Sequence, residues 1–501
     1  MRMATVQNFP FAAIMLYLAG GVTCCVLRPK ASKWVCLALN MLVTVLMFFV
    51  LRFTVHTGES YVYWMGHFPA PWGNEIRIGP LEALMGTAFP LVMTLTLLGG
   101  MQHIFEDVEP EKINLYFTVV NLLMVSMLAL VFTNDLFTAY VFVEINTIAS
   151  CALVMLKYKS GRALVATTRY LIMSLLGSGF FLLGIIILYS ITGHLLMQPM
   201  AAKIQELFAS GEYAFPLTVT VGLFSVGMAL KSALWPFSAW LPDAHSSATA
   251  ASSGILSGLV IKSYIVLLIK IFYRVIGSEE ILSSGVTNVL FFFGIGAMVF
   301  GSFYALKEKD IKRLLAYSSV AQVGYIYAGI GLGTRAGMEA ACVQILVHAI
   351  TKPMLFCTSG GFMSVSGGSR RFADLRGAGR RDPVAGIAFT VGALSMIGIP
   401  LFAGFVTKLW LTRALLSRLG WKLWVGIAAL VLSTVLNALY YLPTVSLLFG
   451  RRSDSCFADE KPQRDAAYLI ALAAFVVLNF LLGTCSEPVT KIIETGLSVL
   501  S

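Results

Sequence analysis

Residues 228–243 read MALKSALWPFSAWLPD, and the reading of this stretch decides what kind of molecule carries it. The run is apolar enough for a bilayer, yet it places Lys231 in its middle and Pro236 five residues later. An ammonium group at membrane depth costs about 3 kcal/mol or more on insertion, so such a residue points to function before structure. The totals around it agree. Of 501 residues 58% are hydrophobic and 12% charged, with a mean hydropathy of +0.82. A soluble domain carries about a quarter of its residues as charges, so a soluble globule is excluded and a polytopic membrane protein is expected.

Apolar runs of roughly 20 residues separated by polar breaks predict about fourteen membrane helices. They lie near 9–27, 34–53, 80–102, 113–132, 135–156, 164–192, 215–241, 250–275, 284–306, 313–333, 338–363, 384–416, 422–449 and 466–484. The first, FPFAAIMLYLAGGVTCCVL, is long enough to span and has no basic leader region of the kind a cleavable signal carries. Helices satisfy their own backbone groups in lipid, so an all-α bundle is the expected fold.

The net charge of +11 would suggest nucleic acid or an acidic partner in a soluble protein. Here the basic residues fall in the connections that follow odd-numbered spans. They include Arg28, Lys30 and Lys33, then Lys157, Lys159 and Arg162, then KEKDIKR at 307–313, RRFADLRGAGRR at 370–381 and RRSDSCFADEKPQR at 451–464. That side holds about twenty Lys and Arg and the other about half as many, so the basic loops should face the cytoplasm and both termini outward. One connection on the basic side, HIFEDVEPEK at 103–112, is acidic, but the rule counts Lys and Arg rather than net charge.

Ionisable residues inside the spans form a short series. Glu144 lies in the fifth, Lys231 in the seventh, Lys262 in the eighth, His348 and Lys352 in the eleventh and Lys408 in the twelfth. One buried lysine could be half of a structural pair or could snorkel to the interface. Several, spread over successive spans, point to a hydrophilic path. His348 and Lys352 are four apart and therefore share a helix face. The seventh and twelfth spans also share a helix break beside a lysine: Lys231 precedes Pro236, whereas Lys408 follows Pro400 and Gly404. Proline removes a backbone donor, and broken membrane helices sit where backbone lines a wet cavity. The reversed order of lysine and proline is what an inverted repeat produces, with spans four to eight as one unit and nine to thirteen as the other. The divisions are then 1–112, 113–275, 276–449 and 450–501, the last being a cytoplasmic loop and a terminal helix.

Eight cysteines are present, with no C-x-x-C; Cys36, Cys151, Cys342 and Cys357 lie in apolar segments and read as small core residues, beside the adjacent Cys24 and Cys25. No His, Cys and carboxylate cluster stands at metal-ligand spacing, and no nucleotide loop, flavin motif or iron–sulfur pattern occurs. No cofactor is expected, and any redox chemistry would belong to other chains.

Four stretches carry a family resemblance: KSALWPFSAWLPDAHSSATAASSGILSGLVIK, DIKRLLAYSSVAQVGY, HAITKPMLF and GIPLFAGFVTK. They resemble signature segments of the antiporter-like proton-translocating subunits shared by respiratory complex I, membrane-bound hydrogenases, formate hydrogenlyases and multisubunit Mrp sodium/proton antiporters. MGHFPAPWGNEIRIGPLEALM, at 65–85, is most similar to the D-type component of Mrp antiporters and its hydrogenase relatives. The resemblance implies inverted five-helix repeats with broken seventh and twelfth helices. It implies that Glu144 pairs with Lys231, that Lys262 is the central lysine, that His348 is the bridging histidine and that Lys408 is the terminal lysine facing the next subunit. His245, in the PDAH turn, would belong to the inlet or to the bridge. Thr249 stands where the family usually has proline, KSYIVLL lacks the glycine usual behind the central lysine, and Glu82 stands where many relatives carry aspartate.

Burial disfavours a charged amine and a nearby carboxylate favours it, so Glu144 can hold Lys231 charged when close and release its proton when the pair loosens. The proton would then pass along Lys262, water and His348 to Lys408, histidine being the residue that accepts and donates near neutrality. The expected function is proton, or sodium/proton, translocation within a multisubunit membrane complex, beside other membrane subunits that include homologous antiporter-like ones, and coupled to a redox module on other chains. The alternatives are a D-type subunit of a standalone Mrp antiporter, a bicarbonate-uptake relative, and a scaffold whose charges are relics. The expected site is a bacterial or archaeal plasma membrane, without nucleic-acid partners.

Overall fold

The computed structural model describes residues 6–69, 73–157, 161–277, 285–418, 420–451 and 465–500. Lys159 and residues 452–464 of the last basic loop, on which part of the orientation reading rests, lie outside the described residues. The described chain is a bundle of helices, and twelve of them are long and apolar enough to cross a membrane. The other two expected spans differ for stated reasons. Ile311–Gly331 is a helix of 21 residues whose Ser318, Ser319, Gln322 and tyrosines dilute its hydropathy. The twelfth is split into Pro383–Ile397 and Ala403–Leu416, each too short alone.

The seventh span is split as well. Helix Ala214–Lys231 stops at its lysine, a turn carries Pro236, and the chain resumes as Trp240–Ser247. Each break contains a non-glycine residue with left-handed backbone, Ala233 at φ 56° and Leu401 at φ 79°. That conformation is strained and persists only where surrounding packing enforces it.

Two helices form the buried interior of the bundle. The membrane-spanning windows of Ala250–Ile276 and Arg335–Ser364 are 100% buried, whereas those of Phe9–Val26, Pro29–Thr57 and Ala163–Thr192 are 33–39% buried and turn Val22, Phe48 and Ile186 outward. This is why polar residues are tolerated in the first pair. They pack on each other through Gly254 and Gly258, four apart on one face, which receive Pro353 of the partner helix. Small residues at such spacing let membrane helices approach closely. The same segment, Leu256–Val260, is wound as a π-turn, a feature that concentrates at functional sites, and Lys262 is the second residue after it. A side chain at Gly258 would run into the Pro353 ring. Gly258→Val is therefore expected to destabilise the protein by about 1–3 kcal/mol through overpacking. The check is the thermal unfolding midpoint of the detergent-purified chain, which should fall for Gly258→Val and remain unchanged for Gly222→Ala, where a methyl meets open space.

Three elements escape a search for long apolar runs. A two-stranded hairpin pairs Tyr61–Trp64 with Glu75–Ile78 in the register Tyr61↔Ile78 and Trp64↔Glu75, a small addition to an otherwise helical bundle. Met197–Ser210 and Glu487–Leu500 are short amphipathic helices; the second buries Ile493, Leu497 and Leu500, its Gly496 lying against Leu81 of helix Pro80–Asp107. Among the described residues, ion pairs join the connections expected on the basic side two by two: Asp107 pairs with Lys157 at 2.8 Å and Asp310 with Arg370 at 3.3 Å.

Candidate functional site

Lys231 ends the first half of the broken seventh span and is fully buried. Its Nζ donates to Thr147 Oγ1 at 2.7 Å and lies 5.3 Å from the Tyr264 ring. Glu144 is one turn before Thr147 on helix Leu136–Met155 and half-exposed. Its carboxylate makes no hydrogen bond or ion pair among the described residues. The expected Glu144–Lys231 pair is thus open in this conformation: the lysine reaches the Thr147 hydroxyl while Glu144 stays half-exposed. The two remain electrostatic neighbours.

From Lys231 polar groups continue inward. Tyr264 donates to Asn146 Oδ1 at 3.0 Å, and Asn146 Nδ2 lies 3.5 Å from Ser263 Oγ, next to Lys262. Lys262 Nζ donates to the Ser257 carbonyl within the π-turn, whose carbonyl directions differ from those of a regular helix. Ser257 Oγ meets Ser319 Oγ of helix Ile311–Gly331 at 2.8 Å.

His348 and His245 are fully buried, and all four of their ring nitrogens lack a protein partner among the described residues. Buried polar atoms of this kind are satisfied by water. His245 stacks on Phe356 at 4.8 Å, and Gln344, one turn before His348, donates to Gln322 at 2.7 Å. Lys262, His348, Lys352 and His245 lie within electrostatic reach of one another. The structure thus brings four of the expected residues into one central cluster.

Lys352 is held by the Leu315 carbonyl at 2.9 Å, Ser318 Oγ at 2.8 Å and, more distantly, Tyr441 OH at 3.4 Å. Hydroxyls then lead onward. Tyr440, beside Tyr441, donates to Asn437 Oδ1 at 2.7 Å; Ser302 donates to the same oxygen at 3.0 Å and meets Ser433 at 3.0 Å; Tyr325 donates to Ser433 at 3.0 Å. Lys408 Nζ lies 5.6 Å from the Tyr325 ring, donates to Thr434 Oγ1 at 2.8 Å and to the Ile397 carbonyl, and is half-buried. Ile397 closes the first half of the broken twelfth span, so the ammonium sits on the carbonyl end of that half-helix, where the dipole favours a cation. Pro400 lies in the break between the halves and, unlike Lys408, is exposed. Glycine is required at Gly398, with φ 91° and the Lys408 stem packed on it.

Several buried charges escaped the sequence reading. Lys270 donates to the carbonyls of Val131 and Thr133, both at 2.7 Å, and Arg274 forms an ion pair with Glu82 at 2.5 Å. Both sit near the end of Ala250–Ile276, where a long cation is normally assumed to snorkel. Arg274 and Arg77 line a cavity of about 1010 Å3 at the end away from the basic loops. Lys422 donates to the Gly331 carbonyl at 2.7 Å. Lys312, read from sequence as part of a basic loop, is fully buried in the first turn of Ile311–Gly331.

Residues 133–437 match the family described as "NADH:quinone oxidoreductase/Mrp antiporter, TM". Among curated proteins, NADH-quinone oxidoreductase subunit N of Desulforudis audaxviator is 34% identical over 395 residues, covering 78% of this chain and 76% of that one. The D-type component of the Na(+)/H(+) antiporter of Alkalihalophilus pseudofirmus is 27% identical, covering 88% and 86%. Among solved structures, a chain of the membrane-bound sulfane sulfur reductase, an archaeal respiratory membrane complex, superposes with a TM-score of 0.85 at 27% identity over 98% of this chain and 97% of its own. A chain of the Mrp complex from Dietzia sp. DQ12-45-1b, at 23% identity and a TM-score of 0.84 over 99% and 98%, shares the fold.

Proposed function

We infer, for a chain that belongs to the NADH:quinone oxidoreductase/Mrp antiporter transmembrane family, that it moves protons along the buried axis Lys231, Lys262, His348, Lys352 and Lys408, as an antiporter-like subunit of a multisubunit membrane complex. The observation that carries this reading is the central cluster of Lys262, His348, Lys352 and His245, all fully buried on three helices and continued by hydroxyls to Lys408. Charges retained at such depth are costly and belong to ion pathways. Glu144 sets the charge state of Lys231 when the two close. His245 supplies ring nitrogens at the cluster, and the breaks carrying Pro236 and Pro400 free backbone ends around each terminal lysine. Residues 113–275 and 276–449 are the two inverted units, preceded by 1–112 and followed by 450–501. The basic end faces the cytoplasm of a bacterial or archaeal cell and both termini face outward. The neighbours are other antiporter-like subunits and a redox module.

The test is the complete complex in sealed vesicles, read with a pH-sensitive dye. Wild type should translocate protons when its redox partner turns over, and Lys262→Met should bring translocation to background with assembly intact. A wild-type complex that moves no protons, or a Lys262→Met complex that moves them normally, removes the reading. Transport driven by a sodium gradient without electron transfer would instead select the standalone antiporter.

A further inference from the structure

We propose that Lys312 is the inlet relay that loads the axis from the basic end, passing protons from the surface to His245. This rests on the proton-translocating reading and adds to it a residue and an entry route.

Lys312 is fully buried, and the only hydrogen bond of its Nζ among the described residues goes to the Ala248 carbonyl at 2.6 Å. Its inner neighbour is His245, three residues before Ala248, whose two ring nitrogens are buried and without protein partners among the described residues. On the outer side it faces the Asp107–Lys157 and Asp310–Arg370 ion pairs, whose acids are 21% and 18% exposed at their side chains. Lys312 therefore stands alone between a solvated rim and an unsatisfied buried imidazole. The step balances simply. A proton from water at the Asp107 rim binds the Lys312 amine, giving the ammonium. The ammonium then yields it to a free ring nitrogen of His245, which passes it to the central cluster and leaves the amine restored.

The plainer role is a cap: Ala248 follows helix Trp240–Ser247, and a cation at a helix carbonyl end is favourable. That end already has a cap, since Arg370 Nη1 donates to the Ser246 carbonyl. The two roles separate by substitution. Arginine keeps the charge and the donor but does not release its proton. Histidine shortens the side chain but keeps a transferable proton.

The experiment uses the complete complex in sealed vesicles, with Lys262→Met as the axis control and native gels for assembly. Lys312→Arg is expected to assemble and to lower proton translocation about tenfold or more, and Lys312→His to recover part of the rate. Wild-type translocation by Lys312→Arg, with Lys262→Met inactive, overturns the relay and leaves the functional reading standing. Asp107→Asn, at the partly exposed rim, guards against a folding defect: it should slow loading with assembly unchanged. Should neither Lys312 variant assemble, wild-type rates for Asp107→Asn overturn the inlet. A wild-type complex without translocation defeats the functional reading itself and is recognised at the first measurement.

Discussion

Lys231→Met is expected to abolish coupled proton transport while the complex still assembles. Lys231 is fully buried at the end of a half-helix, and its contacts are the Thr147 hydroxyl at 2.7 Å and the Tyr264 ring at 5.3 Å. Because no carboxylate touches it, removing the charge leaves no opposing ion stranded in contact. A swap of similar volume costs less than about 1.5 kcal/mol, which a folded bundle absorbs. Transport has no such tolerance, since one missing proton site interrupts a serial path. Lys231→Ala should have the same effect on transport at greater cost to stability, because truncating a large buried side chain leaves a cavity. Glu144→Ala is expected to abolish transport too, for a different reason. Its carboxylate is not on Lys231 in this conformation, so its part lies in the arrangement in which the pair closes and the amine is held charged. Proton uptake into vesicles, with subunit content checked on native gels, decides both. Wild-type uptake by either variant removes that residue from the mechanism, and loss in Lys231→Met alone would place control at Thr147.

The buried lysines were legible in the sequence because they interrupt apolar runs, and the two breaks because Pro236 and Pro400 stand beside them. What the sequence could not supply is direction around each helix. Glu144 and Thr147 are three apart, and only the packing of helix Leu136–Met155 against its neighbours decides which meets Lys231. Lys312 was hidden by composition: KEKDIKR reads as a solvated loop, yet Asp310 caps helix Ile311–Gly331 with its side chain, and that start turns Lys312 inward beneath Ala248. The π-turn before Lys262 has no sequence signature comparable to a proline. It shifts the face that follows, so an unbroken 3.6-residue period carried through LSGLVIK points the lysine elsewhere.

Arg274→Ala is expected to cause the largest loss of stability of any single change away from the proton axis. The Arg274–Glu82 ion pair spans 2.5 Å with side chains 2% and 1% exposed, and it joins helix Ala250–Ile276 to Pro80–Asp107. Arg274 Nε also donates to the Leu500 carbonyl at 3.2 Å, holding the terminal helix Glu487–Leu500 against the same corner. Removing the guanidinium strands a buried carboxylate, a defect worth about 3–5 kcal/mol in proteins. Glu82 keeps one compensation, since its Oε2 accepts from the Gly79 backbone N–H at the start of its own helix. Replacing both partners together is another matter, because a buried pair costs nearly as much to desolvate as it returns. Glu82→Gln keeps the cap, and with Arg274→Met it exchanges the charges for neutral groups of similar volume, so the double variant should recover most of the loss. The measurement is the thermal unfolding midpoint of the purified complex for both singles and the double. A double variant as unstable as Arg274→Ala would mean that the arginine acts through Leu500 and not through Glu82. An Arg274→Ala midpoint equal to wild type would mean that the pair contributes nothing to the fold.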